Sequence, residues 1–295
     1  MARVIAIGEC MVELSGAGEG LLRRRFAGDA LNTAVYLKRT RPEVEVQFLT
    51  VTGADPLSLA MRESWRDEGL DDALAFTDPT RRPALYLIET DPSGDRRFHY
   101  WRSQSAARGW LQALKAAGGA SVLRGADLVY VSGISLAILA PEDQAEAVAL
   151  LSGLKHILVA FDPNLRPALW PSIGAARAVF EQMAGIADIL LPSRQDLLEL
   201  YGEAHGRAQI DFLTSLGAGE IALTAEGDDC LIWDGALTAL KPPMAQPVDT
   251  SGGGDSFSGA YLAARITGSS PVESAREGLA LAARVVEHPG ALVPR

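Results

Sequence analysis

What the chain has little of narrows the field first. Only two cysteines, Cys10 and Cys230, occur in 295 residues. They stand apart, with no CxxC spacing, which argues against a disulfide framework or a metal–thiolate site and for a reduced, cytoplasmic protein. The four histidines, His99, His156, His205 and His288, share no ligand spacing. Lysine occurs only at 38, 115, 155 and 241, and the formal net charge is −10. A basic face for nucleic acid or a membrane surface is therefore not expected. No stretch of about 18 uninterrupted apolar residues is present, so no membrane span is expected. The opening "MARVIAIGEC" leads straight into a strand, without the small-residue cleavage site of a signal peptide. Internal repeats and low-complexity linkers are lacking too.

What is present is a chain that is 48% hydrophobic and 22% charged, enough for one large α/β domain over residues 1–295. Short β-branched runs alternate with amphipathic stretches. The pattern predicts strands at 3–8, 45–53, 127–133, 156–162 and 187–193, with a later strand pair at 220–226 and 230–235. Helices are predicted at 30–40, 56–69, 142–153, 174–184, 194–202, 254–267 and 271–287. Such alternation implies a doubly wound, mostly parallel sheet with helices on both faces. One segment breaks the rhythm: 84–102 reads as two strands joined by a turn at 91–95. With 11–26 it is expected to form a small β lid over the strand ends, where open α/β sheets bind ligands. An edge extension of the main sheet is the alternative.

The most informative stretch is "VDTSGGGDSFSGAYLAARITG" (248–268). Gly252, Gly253 and Gly254 lack Cβ atoms and precede a helical pattern, so unpaired amides and a positive dipole end are expected there. That is an anion hole suited to phosphate. Asp255 follows it. A helix cap would account for the acid, but a cap needs only one suitable residue and leaves the triplet unexplained. An aspartate beside such a nest is placed to take a proton from an attacking hydroxyl during phosphoryl transfer. The stretch is neither a Walker loop nor a dinucleotide-binding fingerprint.

"DTSGGGDSFSGAY" (249–261) and "FAGDALNTAVYL" (26–37) resemble the two signatures of the PfkB (ribokinase-like) carbohydrate kinases. "IGECMVELS", "LYLIETDPSGDRRFHYWR", "YVSGISLAIL" and "FDPNLRPALW" are similar to family members that act on a 2-keto-3-deoxy sugar acid. The resemblance implies a ribokinase-like fold, ATP and Mg²⁺, a sugar acid phosphorylated on its terminal hydroxyl, and a β lid that joins copies into a homo-oligomer. It implies Asp255 as general base with Gly252 to Gly254 as the oxyanion nest. It places Gly28, Asp29, Asn32, Tyr86, Tyr100, Arg102 and Arg166 at the sugar. It places Ser193, Thr224, Gly227, Gly252, Gly254, Gly290 and Ala291 at the nucleotide. A carboxylate-bearing substrate also calls for arginine on physical grounds, and Arg102 and Arg166 fall at strand ends facing the lid.

The chain departs from the family pattern at "PSRQD" (192–196), where Asn-x-x-Glu is usual. Asp196 takes the acid's position, and its shorter arm implies a water bridge to magnesium. The loop "TAEGDDC" (224–230) carries two acids after its glycine, and these are expected to point outward. A kinase of a neutral sugar and a non-catalytic nucleotide-binding regulator are the rival readings.

Overall fold

The structure, a computed structural model, describes residues 1–90, 96–202 and 206–295. The predicted turn at 91–95 and His205 lie outside the described residues. The chain begins β1 (Arg3–Ile7), β2 (Met11–Gly16), β3 (Leu22–Ala27), α1 (Asp29–Thr40), β4 (Glu45–Thr52), α2 (Pro56–Asp67) and β5 (Ala75–Thr77). It continues through β6 (Ala84–Thr90), β7 (Arg96–Trp101), α3 (Trp110–Ala116), β8 (Leu128–Ser132), α4 (Gly133–Ala137), α5 (Pro141–Ser152) and β9 (Leu158–Asp162). Then come α6 (Ile173–Ala184), β10 (Ile189–Leu190), α7 (Arg194–Tyr201), α8 (Arg207–Ser215) and β11 (Glu220–Leu223). The chain finishes with β12 (Cys230–Trp233), β13 (Leu237–Leu240), α9 (Gly253–Ile266) and α10 (Pro271–Val285).

Among the described residues, nine strands form one sheet in the order β13-β12-β11-β10-β9-β8-β1-β4-β5. Pairing is parallel from β5 through β11 and antiparallel at β12 and β13. The central strands β1 and β8 are almost wholly apolar and buried, as strands covered on both faces must be. Two hydrophobic cores result, one on each face. Trp110 with Leu111 and Leu136 anchors the first, and Trp65 with Phe48 and Tyr261 the second. Phe48 and Trp65 meet edge to face at 5.1 Å.

β3-β2-β6-β7 form a separate four-stranded sheet. The edge-extension alternative is thereby set aside: β2 leaves the main sheet straight after β1 and pairs with β6, not with a main-sheet strand. On one face of this sheet Arg25, Glu13, Tyr86 and Tyr100 lie abreast.

Several boundaries differ from expectation. The strand expected at 187–193 shortens to Ile189–Leu190, because Ser193 turns away to cap α7. The strand expected from 156 begins at Leu158, after His156 adopts φ 66. α3, α4, α8, β5 and β13 were not anticipated; all are short, nine residues at most.

Candidate active site

The site lies at the carboxyl ends of the strands, where α1 and α9 cross. Gly252 precedes α9 in the left-handed conformation, φ 75, with no side chain capping the helix. A Cβ there would also sit 2.4 Å from the Ala291 carbonyl oxygen, so only glycine fits. Ser256 N closes the first helical bond to the Gly252 carbonyl at 2.8 Å, and Gly253 N reaches Thr250 O at 3.2 Å. Among the described residues the amides of Gly254 and Asp255 find no acceptor. These are the open donors of an anion nest.

Asp255 is not the cap. It lies in the first turn of α9, and its Oδ2 accepts a hydrogen bond from Asn32 Nδ2 at 2.7 Å. Asn32 itself is buried in α1, its amide bonded to the Gly28 carbonyl at 2.7 Å. The two helices approach so closely that a Cβ on Gly259 would lie 2.7 Å from the Thr33 carbonyl oxygen. Although Asp255 retains some exposure, its carboxyl is surrounded by protein. Burial pushes its pKa up to about 7, and the charge of Asp29 adds to the rise. The Asn32 hydrogen bond and the Arg166 charge oppose it.

A ring of acids surrounds this point. Asp29 Oδ2 accepts from Asn164 Nδ2 at 2.9 Å. Asp162, at the end of β9, is buried and accepts from Asn164 N at 3.0 Å, Ser258 Oγ at 3.3 Å and Tyr130 OH at 3.4 Å. Its pKa is raised well above the usual carboxylate range, by burial first and then by Asp196, Asp255 and Asp29.

Arg166 is exposed; Nη1 donates to the carbonyl of its neighbour Leu165 at 2.9 Å. No ion pair involves it among the described residues, and its field reaches Asp255. Arg102 differs. Its Nη2 lies 2.5 Å from Glu9 Oε2, and Glu9 is only 1% exposed. Ser105 Oγ donates to the other Glu9 oxygen. Burial raises the Glu9 pKa against the lowering effect of Arg102. Arg102 Nε is buried with no hydrogen-bond partner among the described residues. Tyr86 is buried with its hydroxyl donating to Glu13, and Tyr100, half exposed, packs 5.7 Å from it.

The predicted nucleotide residues fall in two places. Ser193 and Thr224 bridge the ends of β10 and β11, and Gly227 lines an open cavity of about 1060 Å³ with Arg194, Asp228, Lys241 and Met244. Gly290 and Ala291 instead sit beside the nest. Gly290 N donates to Asp249 Oδ2 at 2.5 Å, and the Ala291 carbonyl accepts from Tyr36 OH at 2.7 Å. Gly290 lines a second cavity, of about 760 Å³, between the small sheet and the nest loop, with Glu13, Arg23, Arg25 and Asp249.

Asp196 is fully engaged. Oδ1 accepts from Leu165 N at 2.7 Å; Oδ2 accepts from Ser193 N at 2.9 Å and Ser193 Oγ at 2.6 Å, forming a capping box. No group of three or more potential metal ligands occurs among the described residues. No helix is long and apolar enough to cross a membrane among the described residues.

Sequence reasoning missed Glu9, Asp162 and Asn164 as site residues. Each lay inside a stretch already singled out, "IGECMVELS" or "FDPNLRPALW", but their pairings with Arg102, Tyr130 and Asp29 span the fold.

An anion nest beside an oriented, partly protonatable carboxylate defines a small-molecule phosphotransferase. The chain belongs to the pfkB family of carbohydrate kinases, whose profile matches residues 1–294. It is 37% identical to 2-dehydro-3-deoxygluconokinase of Escherichia coli K12 over 302 residues, covering 99% of this chain and 97% of that one. The Haemophilus influenzae 2-dehydro-3-deoxygluconokinase is 32% identical over 303 residues, covering 100% and 96%. Among solved structures, a PfkB protein from Polaromonas sp. JS666 superposes with a TM-score of 0.85 at 24% identity, over 97% of this chain and 96% of that one.

Proposed function

We propose that the chain transfers the γ-phosphoryl group of ATP to the terminal (6-) hydroxyl of 2-keto-3-deoxygluconate, giving the 6-phosphate. The observation that carries the chemistry is Asp255 held by Asn32 at the mouth of the glycine nest. The names of the relatives support the substrate.

Asn32 occupies Asp255 Oδ2, which leaves Oδ1 to accept the hydroxyl proton. As that proton leaves, the substrate oxygen bonds the γ-phosphorus and the bond to the β–γ bridging oxygen breaks, releasing ADP. The open amides of Gly254 and Asp255 hold negative charge on the moving group. Mg²⁺, when bound, neutralises phosphate charge. Arg166, with Arg102 behind it, binds the substrate carboxylate, with Tyr86 and Tyr100 along the wall. Gly28, Asp29 and Asn32 are assigned to the sugar hydroxyls. Ser193, Thr224, Gly227 and Gly252 to Gly254 are assigned to the phosphates, with Gly290 and Ala291 bracing that loop and Asp196 acting on magnesium only through water.

The small sheet, segments 11–26 and 84–102, acts as a lid that excludes water. Its edge strand β7 exposes Trp101 at 61%, in keeping with a second copy docking there. The setting is cytoplasmic, in line with two buried free cysteines.

The engagement of Arg102 by Glu9 favours one rival, a kinase of a neutral sugar, because it leaves Arg166 as the only uncommitted arginine of the two. A panel of keto acids and neutral sugars with ATP and Mg²⁺, compared by kcat/KM, decides. A neutral sugar preferred over every keto acid would remove the substrate assignment. Absence of any phosphorylation would favour the regulator.

A further inference from the structure

The acids after Gly227 do not both point away into solvent. Asp228, 65% exposed, forms an ion pair through Oδ2 with Nη1 of Arg194, itself 26% exposed. Arg194 is anchored where it stands. It opens α7, its amide donates to the Thr224 carbonyl at 2.7 Å, and Ser193 and Thr224 tie the strand ends together beside it.

The guanidinium is only partly satisfied. Nε is buried and has no hydrogen-bond partner among the described residues, which is unfavourable for a donor shut away from water. An arginine presents a fork of donors that matches phosphate oxygens, and Asp228 occupies one arm of it. The surroundings suit a nucleotide. Arg194 and Asp228 line the cavity of about 1060 Å³ together with Lys241, Pro242, Pro243 and Met244. Lys241 is exposed and has no carboxylate within ion-pair reach among the described residues. Met244, 99% exposed, and the two prolines offer apolar surface to a base. Two cations and an apolar shelf match a polyphosphate carrying an aromatic ring; Asp228 and Asp229, which also lines the cavity, oppose it, and of the two Asp228 is the one paired with Arg194.

We propose that Arg194 exchanges Asp228 for the phosphates of the incoming nucleotide, so that Asp228 is an internal competitor that sets nucleotide affinity. The inference rests on the reading of the chain as an ATP-dependent kinase. An exposed ion pair contributes little stability, and a phosphate gives the fork two charged acceptors at once, so the exchange is favourable. Lys241 carries the same phosphate chain from the other wall.

The test is calorimetric titration of ATP with Mg²⁺ into wild type, Arg194→Ala, Asp228→Asn and the double variant, with 2-keto-3-deoxygluconate titrated in parallel. Arg194→Ala weakens ATP binding about tenfold, the loss of one charge-assisted contact. Asp228→Asn tightens it. In the double variant the Asp228 substitution has no further effect, because its competitor is gone. Sugar-acid affinity stays at the wild-type value throughout. ATP affinity indifferent to Arg194, or weakened by Asp228→Asn, overturns the proposal. Calorimetry reads binding and not turnover, so failure of the proposed reaction shows separately, as ATP binding without phosphorylation of the sugar acid.

Discussion

The two halves of the site are built differently. On the proposed sugar side, Asn32 and Asp255 come from helices packed backbone to backbone at Gly259, and their hydrogen bond is 2.7 Å. On the proposed nucleotide side, Ser193 and Thr224 sit on strand-end loops, and Arg194 is paired with an exposed acid. A group that must meet a proton at hydrogen-bond distance is set by a packed core, which deforms little. A surface that must admit and release a large anion sits on loops.

The sharpest way to break this contrast is at the base. Asp255→Asn lowers kcat roughly 10³-fold, as expected for loss of a positioned base. The same change raises Tm at pH 8. The folded-state pKa of Asp255 is raised to about 7 from 3.8, so its stabilising contribution is complete below about 3.8 and lost as pH rises through 7; the amide has no charge to bury. Thermal melts at pH 5 and pH 8 check this: the variant's advantage must grow with pH.

Asn32→Ala tests orientation rather than the base itself. Removing the donor to Oδ2 lowers kcat by about 10²-fold and moves the acid limb of the pH–rate profile upward, since the Asn32 hydrogen bond lowers the Asp255 pKa. For the wild type, kcat/KM falls tenfold per pH unit below about 7. A flat profile down to pH 5 would falsify the assignment of Asp255.

Gly259→Ala tests whether the helix crossing sets the distance. The added methyl meets the Thr33 carbonyl and costs about 1–3 kcal/mol in denaturant unfolding, with a drop in kcat larger than the change in KM for ATP. The smallest effect belongs to the loop side: Asp228→Ala changes stability by less than about 1 kcal/mol, measured by the same unfolding curves.

The contrast also explains what was legible in the sequence. The alternation of apolar strands with amphipathic helices carried the main sheet, and the glycine triplet before Asp255 carried the nest, because both are local patterns. β5 and β13 escaped because three or four residues show no periodicity. α4 opens with glycine and isoleucine, poor helix formers; burial and the Ser132 cap make it. The Glu9–Arg102 pair joins residues 93 positions apart, and no spacing rule reveals it. For Asp255 the sequence offers a proton acceptor and, beside it, a helix cap; the structure removes the cap and adds Asn32 as its partner, a contact that only the fold makes.

Asn32 and Asp255 are 223 positions apart in the chain. Their contact therefore closes a very long loop, the kind of event that comes late in folding and slows it. The Asn32–Asp255 pair forms only once α1 and α9 have docked, so a half-folded chain has secondary structure without the proposed base in place. During refolding, regained turnover should trail regained helical signal, and enzymatic assay becomes a clock for the final docking of those two helices.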